Sequence, residues 1–375
     1  VSGAPARAAS GQAGASLASV EIQVLQNPSP FVADGRAHLL YELHVTSFQS
    51  TPLTLQALEV AAVGDPPTPI ARFEGPELAG MIVPAGAAAP PDDPLTLQPA
   101  VRNMVFLWLH FDSTAAVPIA LRHTLTFEPR ASGEPAHLSV LPRMEVLPLE
   151  PVVIGPPVHG ERWLAANAVS NVSGHRREPD VVNGHLYFSQ RYAVDLIQVG
   201  SDGLAYRGDP SHNENWLCYG AELLAVADGV VVEVRDGIPE NVPLEAPAVP
   251  MTLDTVAGNY VLLDLGNGRY GGYAHFIPGS IRVQPGDRVR RGDVLGLLGN
   301  SGQSSAPHLH FHVTNGPSFL GADGVPYAFD RVRVRKARLV PLEGTNFRVD
   351  VLSDAPREAV LELVLNDDLL DFGPP

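Results

Sequence analysis

The sequence predicts an all-β protein built from more than one domain. Three observations carry this. Gly 35 and Pro 36 are spread over 375 residues, a density of turn formers that long helices do not tolerate. Apolar and polar residues alternate with a period of two in many short runs, as they do on strands with one buried face. No segment shows the sustained 3.6-residue periodicity of a long helix. With 45% apolar residues the chain has enough for sizeable cores, and its length suits two or three domains.

Residues 1–19 are rich in Ala, Gly and Ser and read as a flexible segment. The chain does not open on Met, and we read this segment as the start of a processed, exported protein, periplasmic or extracellular. Residues 20–150 form the next unit. Val20, Ile22 and Val24 alternate, and further strands are expected at 38–46, 53–63, 103–111, 119–127 and 137–140. Turn-rich stretches at 64–69 and 84–94 separate them. This spacing predicts a two-sheet β-sandwich, immunoglobulin-like in general form. His38, His44, His110, His123 and His137 fall within or beside these strands. No spacing clusters them, so they read as structural or surface residues.

Proline density rises at Leu147-Pro148-Leu149-Glu150-Pro151, which marks a boundary. A second β-rich domain spans 151–330. Beyond it, the alternation at Val332 and Val334, then 347–351 and 359–365, reads as a C-terminal β extension over 331–375. That extension is either a small appendage or a set of strands packed on an earlier domain.

Charge and cysteine content narrow the function. Lys+Arg 25 against Asp+Glu 41 gives a net charge of −16, which argues against nucleic acid or an anionic membrane as the main partner. No apolar run reaches the roughly 18 residues of a membrane span. Cys218 is the single cysteine, so an intrachain disulfide and a cysteine-rich zinc site are both excluded. Any metal would be held by histidine and carboxylate.

The chemistry concentrates in 190–312. In an extended Pro307-His308-Leu309-His310-Phe311-His312, the three histidines share one face and Leu309 and Phe311 the other. A strand with imidazoles on one face and apolar groups on the other looks like the wall of a metal site. Two more segments stand upstream: Gln190-Arg191-Tyr192-Ala193-Val194-Asp195 and Tyr273-Ala274-His275. Between His275 and His308, Val283-Gln284-Pro285-Gly286-Asp287-Arg288-Val289-Arg290-Arg291-Gly292 has the turn chemistry of a compact β-barrel.

These motifs, in this order, resemble the lysostaphin/LytM-type zinc metallopeptidases, whose members cleave peptide bonds in bacterial peptidoglycan. The Tyr-x-His segment, the Gly-Asp-x-Val stretch and Ser301-Gly302-Gln303-Ser304-Ser305-Ala306-Pro307-His308-Leu309-His310 carry the likeness, which covers roughly 167–330. Ala227-Asp228-Gly229-Val230-Val231 fits the family's first barrel strand. The resemblance implies a LytM-type β-barrel or antiparallel-sheet peptidase domain, zinc as cofactor and a peptidoglycan peptide as substrate. It implies Asp195 and His310 as zinc ligands, with His275 and His308 as catalytic histidines outside the ligand set. One imidazole would take a proton from water and one would stabilise the oxyanion.

Four residues before the ligand Asp the family carries a histidine, where this chain has Arg191, which stays protonated and cannot ligate. The segment resembles a branch of the family with Gln-Arg-Tyr-Ala-x-Asp, preceded by a Ser-x-His-Arg stretch like Ser173-Gly174-His175-Arg176. The third ligand is open among His175, His212 and His185, or is absent. Asn183-Gly184 is a hairpin signal that pairs Val182 with His185 and carries the chain back so that His175 stands opposite Tyr192, given a bulge near Pro179. His185 would lie about 33 Å from Asp195 in one continuous strand, at ~3.3 Å per residue. Arg191 is expected to pair with Glu214 or with substrate carboxylates, and His312 to orient another imidazole. Two other functions fit parts of the pattern. One is a catalytically degenerate domain that binds or activates wall hydrolases. The other is a biotinyl- or lipoyl-type carrier barrel, which leaves the histidines unexplained and lacks its modifiable Lys.

Overall fold

The computed structural model describes residues 16–17, 19–86, 92–128, 136–342, 347–353 and 355–373. Residues 1–15 and 18 of the segment expected to be flexible lie outside these, as do 87–91 of the expected turn-rich stretch 84–94. Strands dominate. Among the described residues the α-helices are Gly75–Met81 and the single turn Gly174–Arg177. The chain divides into two compact units. The first takes Val1–Pro28, Leu39–Leu109 and Ala115–Pro148; the second takes Ser29–His38, His110–Thr114 and Leu149–Pro375.

The first unit holds two sheets. One follows the order Ser16–Leu17, His137–Glu145, Ala120–Phe127, Leu53–Ala62, Thr68–Glu74, with Thr96–Leu97 also paired to Leu53–Ala62. The other follows Val20–Gln23, Arg36–Ser47, Arg102–Phe111, Ile82–Pro84. In Ala120–Phe127 the buried positions alternate through Leu121, His123, Leu125 and Phe127, as the period-two pattern requires. His123 is fully buried and lies 2.8 Å from the Tyr41 hydroxyl of the other sheet. Burial pushes its pKa down to about 3, so it is a neutral core residue.

Six strands of the second unit position the chemistry: β1 (Trp163–Ala166), β2 (Val194–Gln198), β3 (Gly229–Arg235), β4 (Tyr260–Asp264), β5 (Tyr270–Ala274) and β6 (Leu309–Thr314). They pair in the order β3-β4-β5-β6-β2-β1, each pair antiparallel. Arg288–Val289 lies beyond β3. Beyond β1 come Asp368–Asp371, Val332–Pro341 and Phe347–Val351. The C-terminal strands therefore extend the sheet that carries β1 to β6. The resulting eleven-stranded sheet is open, and no barrel closes among the described residues. The strand expected at 359–365 is limited to Arg357–Ala359, because Leu361 adopts φ 56°, outside extended backbone.

Registers fix which side chains meet. Asp195 of β2 lies opposite His310 of β6, and His310 lies opposite Ala274 of β5. Ala166 of β1 lies opposite Asp195. Directly opposed residues share a face, so these four form one row across the sheet. His312 and Gly272 form the next pair on the same face. All six residues of β6 are buried. Leu309, Phe311 and Val313 enter the core behind the sheet, while His310 and His312 face a covered cleft.

The loop that leads into β4 is pinned to the segment ahead of β6 by a close approach. Gly258 has φ +63°, and a Cβ there would come within 2.4 Å of the Ser301 carbonyl oxygen. Asn259 next to it donates from its backbone N–H to Ser301 Oγ and from its amide to the Phe276 carbonyl. A Gly258→Ala variant carries the left-handed penalty of about 1–2 kcal/mol, before any cost of moving Ser301. Thermal unfolding followed by circular dichroism is expected to show a melting temperature lower by roughly 2–8 °C. An unchanged value would contradict the close approach.

Candidate metal centre

His175, Asp195 and His310 come together so that one ligand atom from each lies within 4.8 Å of the others. His310 Nδ1 lies 3.1 Å from Asp195 Oδ1, as their cross-strand pairing dictates. His175 Nε2 lies 3.5 Å from the other carboxylate oxygen. Asn167, just after β1, donates from Nδ2 to that same Oδ2 at 3.0 Å and accepts the His175 Nδ1 proton on its carbonyl at 2.9 Å. One residue thus orients two members of the cluster.

His308 and His275 complete the constellation. His308 immediately precedes β6, and its Nε2 lies 3.5 Å from Asp195 Oδ1. Its Nδ1 donates to the Ala306 carbonyl at 2.8 Å. His275 follows Ala274, and regular extension would send its side chain to the opposite face. Its φ of 69° breaks the alternation. A non-glycine residue rarely holds this conformation, and it persists where the surroundings enforce it. His275 Nδ1 donates to the Ser301 carbonyl at 2.6 Å, and its ring sits 4.6 Å from that of His308. His175, Asp195, His275, His308 and His310 line a cavity of about 330 Å³, with Glu178, Gln190, Gln303 and Phe319 among its other walls.

The route of His175 into the site differs from the sequence expectation. The hairpin at Asn183-Gly184 forms with Val182 opposite His185, and both turn residues have positive φ. Pairing ends at Asp180 opposite Tyr187. Pro179 supplies no N–H to continue it. The chain instead enters the helical turn Gly174–Arg177, where Ser173 Oγ accepts the Arg176 N–H as an N-cap. A capped turn, rather than a bulged strand, delivers His175.

Charge and protonation at the cluster suit a cation. Burial holds His175 down at about 4, with His310 adding to the effect against the pull of Asp195. Burial likewise holds His275 far below the usual imidazole range, reinforced by His308 and His310. For His308 burial acts downward, but the Asp195 carboxylate and the Ala306 carbonyl outweigh it and the pKa rises. Burial would raise Asp195; His175 and His308 outweigh it and keep the carboxylate ionised. The Nδ1 protons of His175 and His275 are committed to carbonyls, so each neutral ring leaves Nε2 as a lone pair. The His175 lone pair faces a carboxylate oxygen at 3.5 Å. Two such electron-rich atoms are satisfied by a cation between them. Two imidazoles and one carboxylate are a donor set that holds zinc with an open position, so these residues fit a divalent metal.

The remaining candidates fall elsewhere. Arg191 is buried and turned away: its Nη1 donates to the Gly324 carbonyl at 3.1 Å, and its Nη2 lies 3.8 Å from Asp323. The expected partner Glu214 is replaced by Asp323, because residues 188–193 form successive turns ahead of β2 and no regular spacing ties position 191 to 195. His212 is 66% exposed and lies 3.9 Å from Asp209. His185 is exposed in its hairpin beside Tyr187. His312 is fully buried next to His310. Sequence reasoning missed Asn167, Gly272 and Phe319. The consecutive glycines 271 and 272 within a strand were a usable signal of close approach. After dialysis against a weak chelator, we expect about one bound divalent metal per chain by elemental analysis. His175→Ala, Asp195→Ala and His310→Ala should each lose it, while His185→Ala and His212→Ala retain it. Retention in His175→Ala with loss in His212→Ala would reverse the assignment.

Comparison with known proteins bears on the same region. Residues 217–320 match the profile described as Peptidase family M23. His275, His308 and His310 fall inside that match, and His175 and Asp195 precede it. Peptidoglycan DD-endopeptidase ShyA of Vibrio cholerae is 42% identical over 94 residues, covering 25% of this chain and 17% of the relative. An uncharacterised metalloprotease of Buchnera aphidicola is 31% identical over 94 residues, covering 25% of this chain and 20% of that protein. The chain thus spans about a fifth of the length of these curated relatives. Among solved structures, a mutant catalytic domain of the M23 protein EnpA from Enterococcus faecalis aligns at 18% identity over 45% of this chain and 92% of its own, with a TM-score of 0.27. The lysostaphin catalytic domain of Staphylococcus simulans aligns at 22% identity over 44% and 86%, with a TM-score of 0.23. Within its second unit, the chain therefore carries a domain matching Peptidase family M23.

Proposed function

We propose that this chain is a zinc metalloendopeptidase that hydrolyses peptide bonds in bacterial peptidoglycan. The observation that carries the reading is the set of His175, Asp195 and His310 in one cavity, with His275 and His308 beside it. The M23 match and the printed activity of the Vibrio relative support the substrate class. Such a substrate lies outside the cytoplasmic membrane, so the reading includes export to the periplasm or beyond. Among the described residues no helix is long and apolar enough to cross a membrane.

His175 Nε2, the Asp195 carboxylate and His310 Nδ1 would hold the metal. Zinc bound there supplies Lewis acidity toward a carbonyl oxygen and lowers the pKa of water. His275 is kept neutral by burial, and with Nδ1–H held by Ser301 its Nε2 is free to accept a proton. The Asp195 carboxylate raises the pKa of His308 and faces its Nε2, which favours a proton there, suited to donate to a carbonyl oxygen as negative charge grows on it. Adjacent rings with oppositely shifted pKa values divide the acid and base work between them. Phe319 and Leu320 give the same cavity an apolar wall.

Arg191, which cannot ligate a metal, is the residue that bears on the alternative of a degenerate binding or activating module. Its guanidinium faces Asp323 and Gly324, and His175 lies beside Asp195, which supports the metal-binding reading. Digestion of purified sacculi, followed by chromatography of released muropeptides, tests the proposal. The wild-type chain should release peptides. His275→Ala and His308→Ala should lower the rate by about 10²–10⁴-fold while keeping their metal. A metal-loaded wild-type chain that cleaves no sacculi would sink the proposal.

A further inference from the structure

His310 Nε2 lies 3.0 Å from His312 Nδ1. Two imidazole nitrogens at this distance share one proton, with one ring donating and the other accepting. On the other side of its ring, His310 presents Nδ1 to Asp195. A nitrogen that ligates a metal carries a lone pair, so His310 has to keep its proton on Nε2. It can do so only if His312 offers a bare Nδ1. The proton of neutral His312 then sits on its own buried Nε2, which has the Phe319 backbone nearby but closes no well-formed hydrogen bond.

The seat of His312 is specific. The residue is fully buried, and its ring centroid lies 4.5 Å from that of Phe319. Gly272 stands opposite it on β5, where a Cβ would come within 2.8 Å of His312 Nε2 and 2.9 Å of Phe319 Cε2. A buried ring nitrogen without a well-formed hydrogen bond is unfavourable. A phenylalanine would fill the space without that cost, so packing alone does not account for an imidazole here.

We infer that His312 is a positioning residue that fixes the tautomer of His310, so that Nδ1 rather than Nε2 faces the metal. The inference rests on the metal-centre reading above. It adds a fifth imidazole to the centre, one that touches neither metal nor substrate. In its absence, His310 could place its proton on Nδ1 and present a donor where a ligand is needed.

The test is zinc affinity of the full chain, by competition with a chromophoric chelator, with folding checked by circular dichroism. His312→Phe should bind zinc about 10–100-fold more weakly. His312→Asn carries its amide oxygen near the position of Nδ1, accepts the same proton and should restore affinity towards wild type. Gly272→Ala keeps the imidazole but displaces it, and should weaken binding in the same direction. With cobalt substituted for zinc, the absorption bands should shift in His312→Phe and return in His312→Asn. Unchanged affinity in His312→Phe overturns the inference, as does equal weakening in the Phe and Asn variants, which would mean packing alone. Should His312→Phe fail to fold, Gly272→Ala decides: weaker binding supports the tautomer lock and unchanged binding overturns it. A wild-type chain that binds no zinc overturns the metal-centre reading itself.

Discussion

The pairing of Asp195 with His310 across β2 and β6 is the constraint on which the site depends. A register slip of one residue would turn Asp195 to the other face of the sheet and separate it from both His175 and His308. The neighbouring strands serve this pairing. β5 puts Ala274 opposite His310 and Gly272 opposite His312, so the imidazoles on β6 meet small residues on one flank. β1 ends at Ala166, and Asn167 then turns with φ 45° to bind both Asp195 and His175. Burying a carboxylate is costly unless charge and hydrogen bonds compensate. Here one amide and three imidazoles surround it.

Much of this was legible in the chain. Period-two alternation located the strands around Leu53–Ala62 and Ala120–Phe127, which bury about every second side chain, and those around Val20–Gln23, Arg36–Ser47 and Arg102–Phe111 formed as expected although the last two are buried along nearly their whole length. The histidine-rich strand was legible because His308, His310 and His312 alternate with Leu309 and Phe311. What could not be read were features set by turns. The Asn183-Gly184 hairpin was readable from two residues, but the capped turn that carries His175 depends on where pairing stops. Arg191 found Asp323 through a loop closure of more than a hundred residues, which no local pattern encodes. Asn167 was invisible because its role comes from a left-handed backbone position at a strand end.

The second unit also draws on distant sequence. The hairpin formed by Phe31–Ala33 and the start of Arg36–Ser47 groups with it. Phe31 meets Tyr192 edge-on at 5.6 Å, in the segment that leads into β2. The Leu363 N–H donates to the Val32 carbonyl, and Asp34 pairs with Lys336 and Arg357. These contacts join chain segments more than a hundred residues apart, so the surroundings of β2 are assembled from both ends of the sequence. Contacts of such separation form late and slow folding, since the loops between them have to close first.

Cys218 is the one thiol in the chain. It lies fully buried, with its Sγ–H 3.0 Å from the Pro307 carbonyl, one residue before His308. Burial pushes its pKa up to about 12, so it holds no thiolate at neutral pH. It offers nothing for maleimides or disulfide exchange to attack. The native chain is thus a silent background for site-directed chemical labelling. A cysteine introduced at any exposed position would be the single reactive thiol, ready to take a spin label or fluorophore for following movements around the cleft.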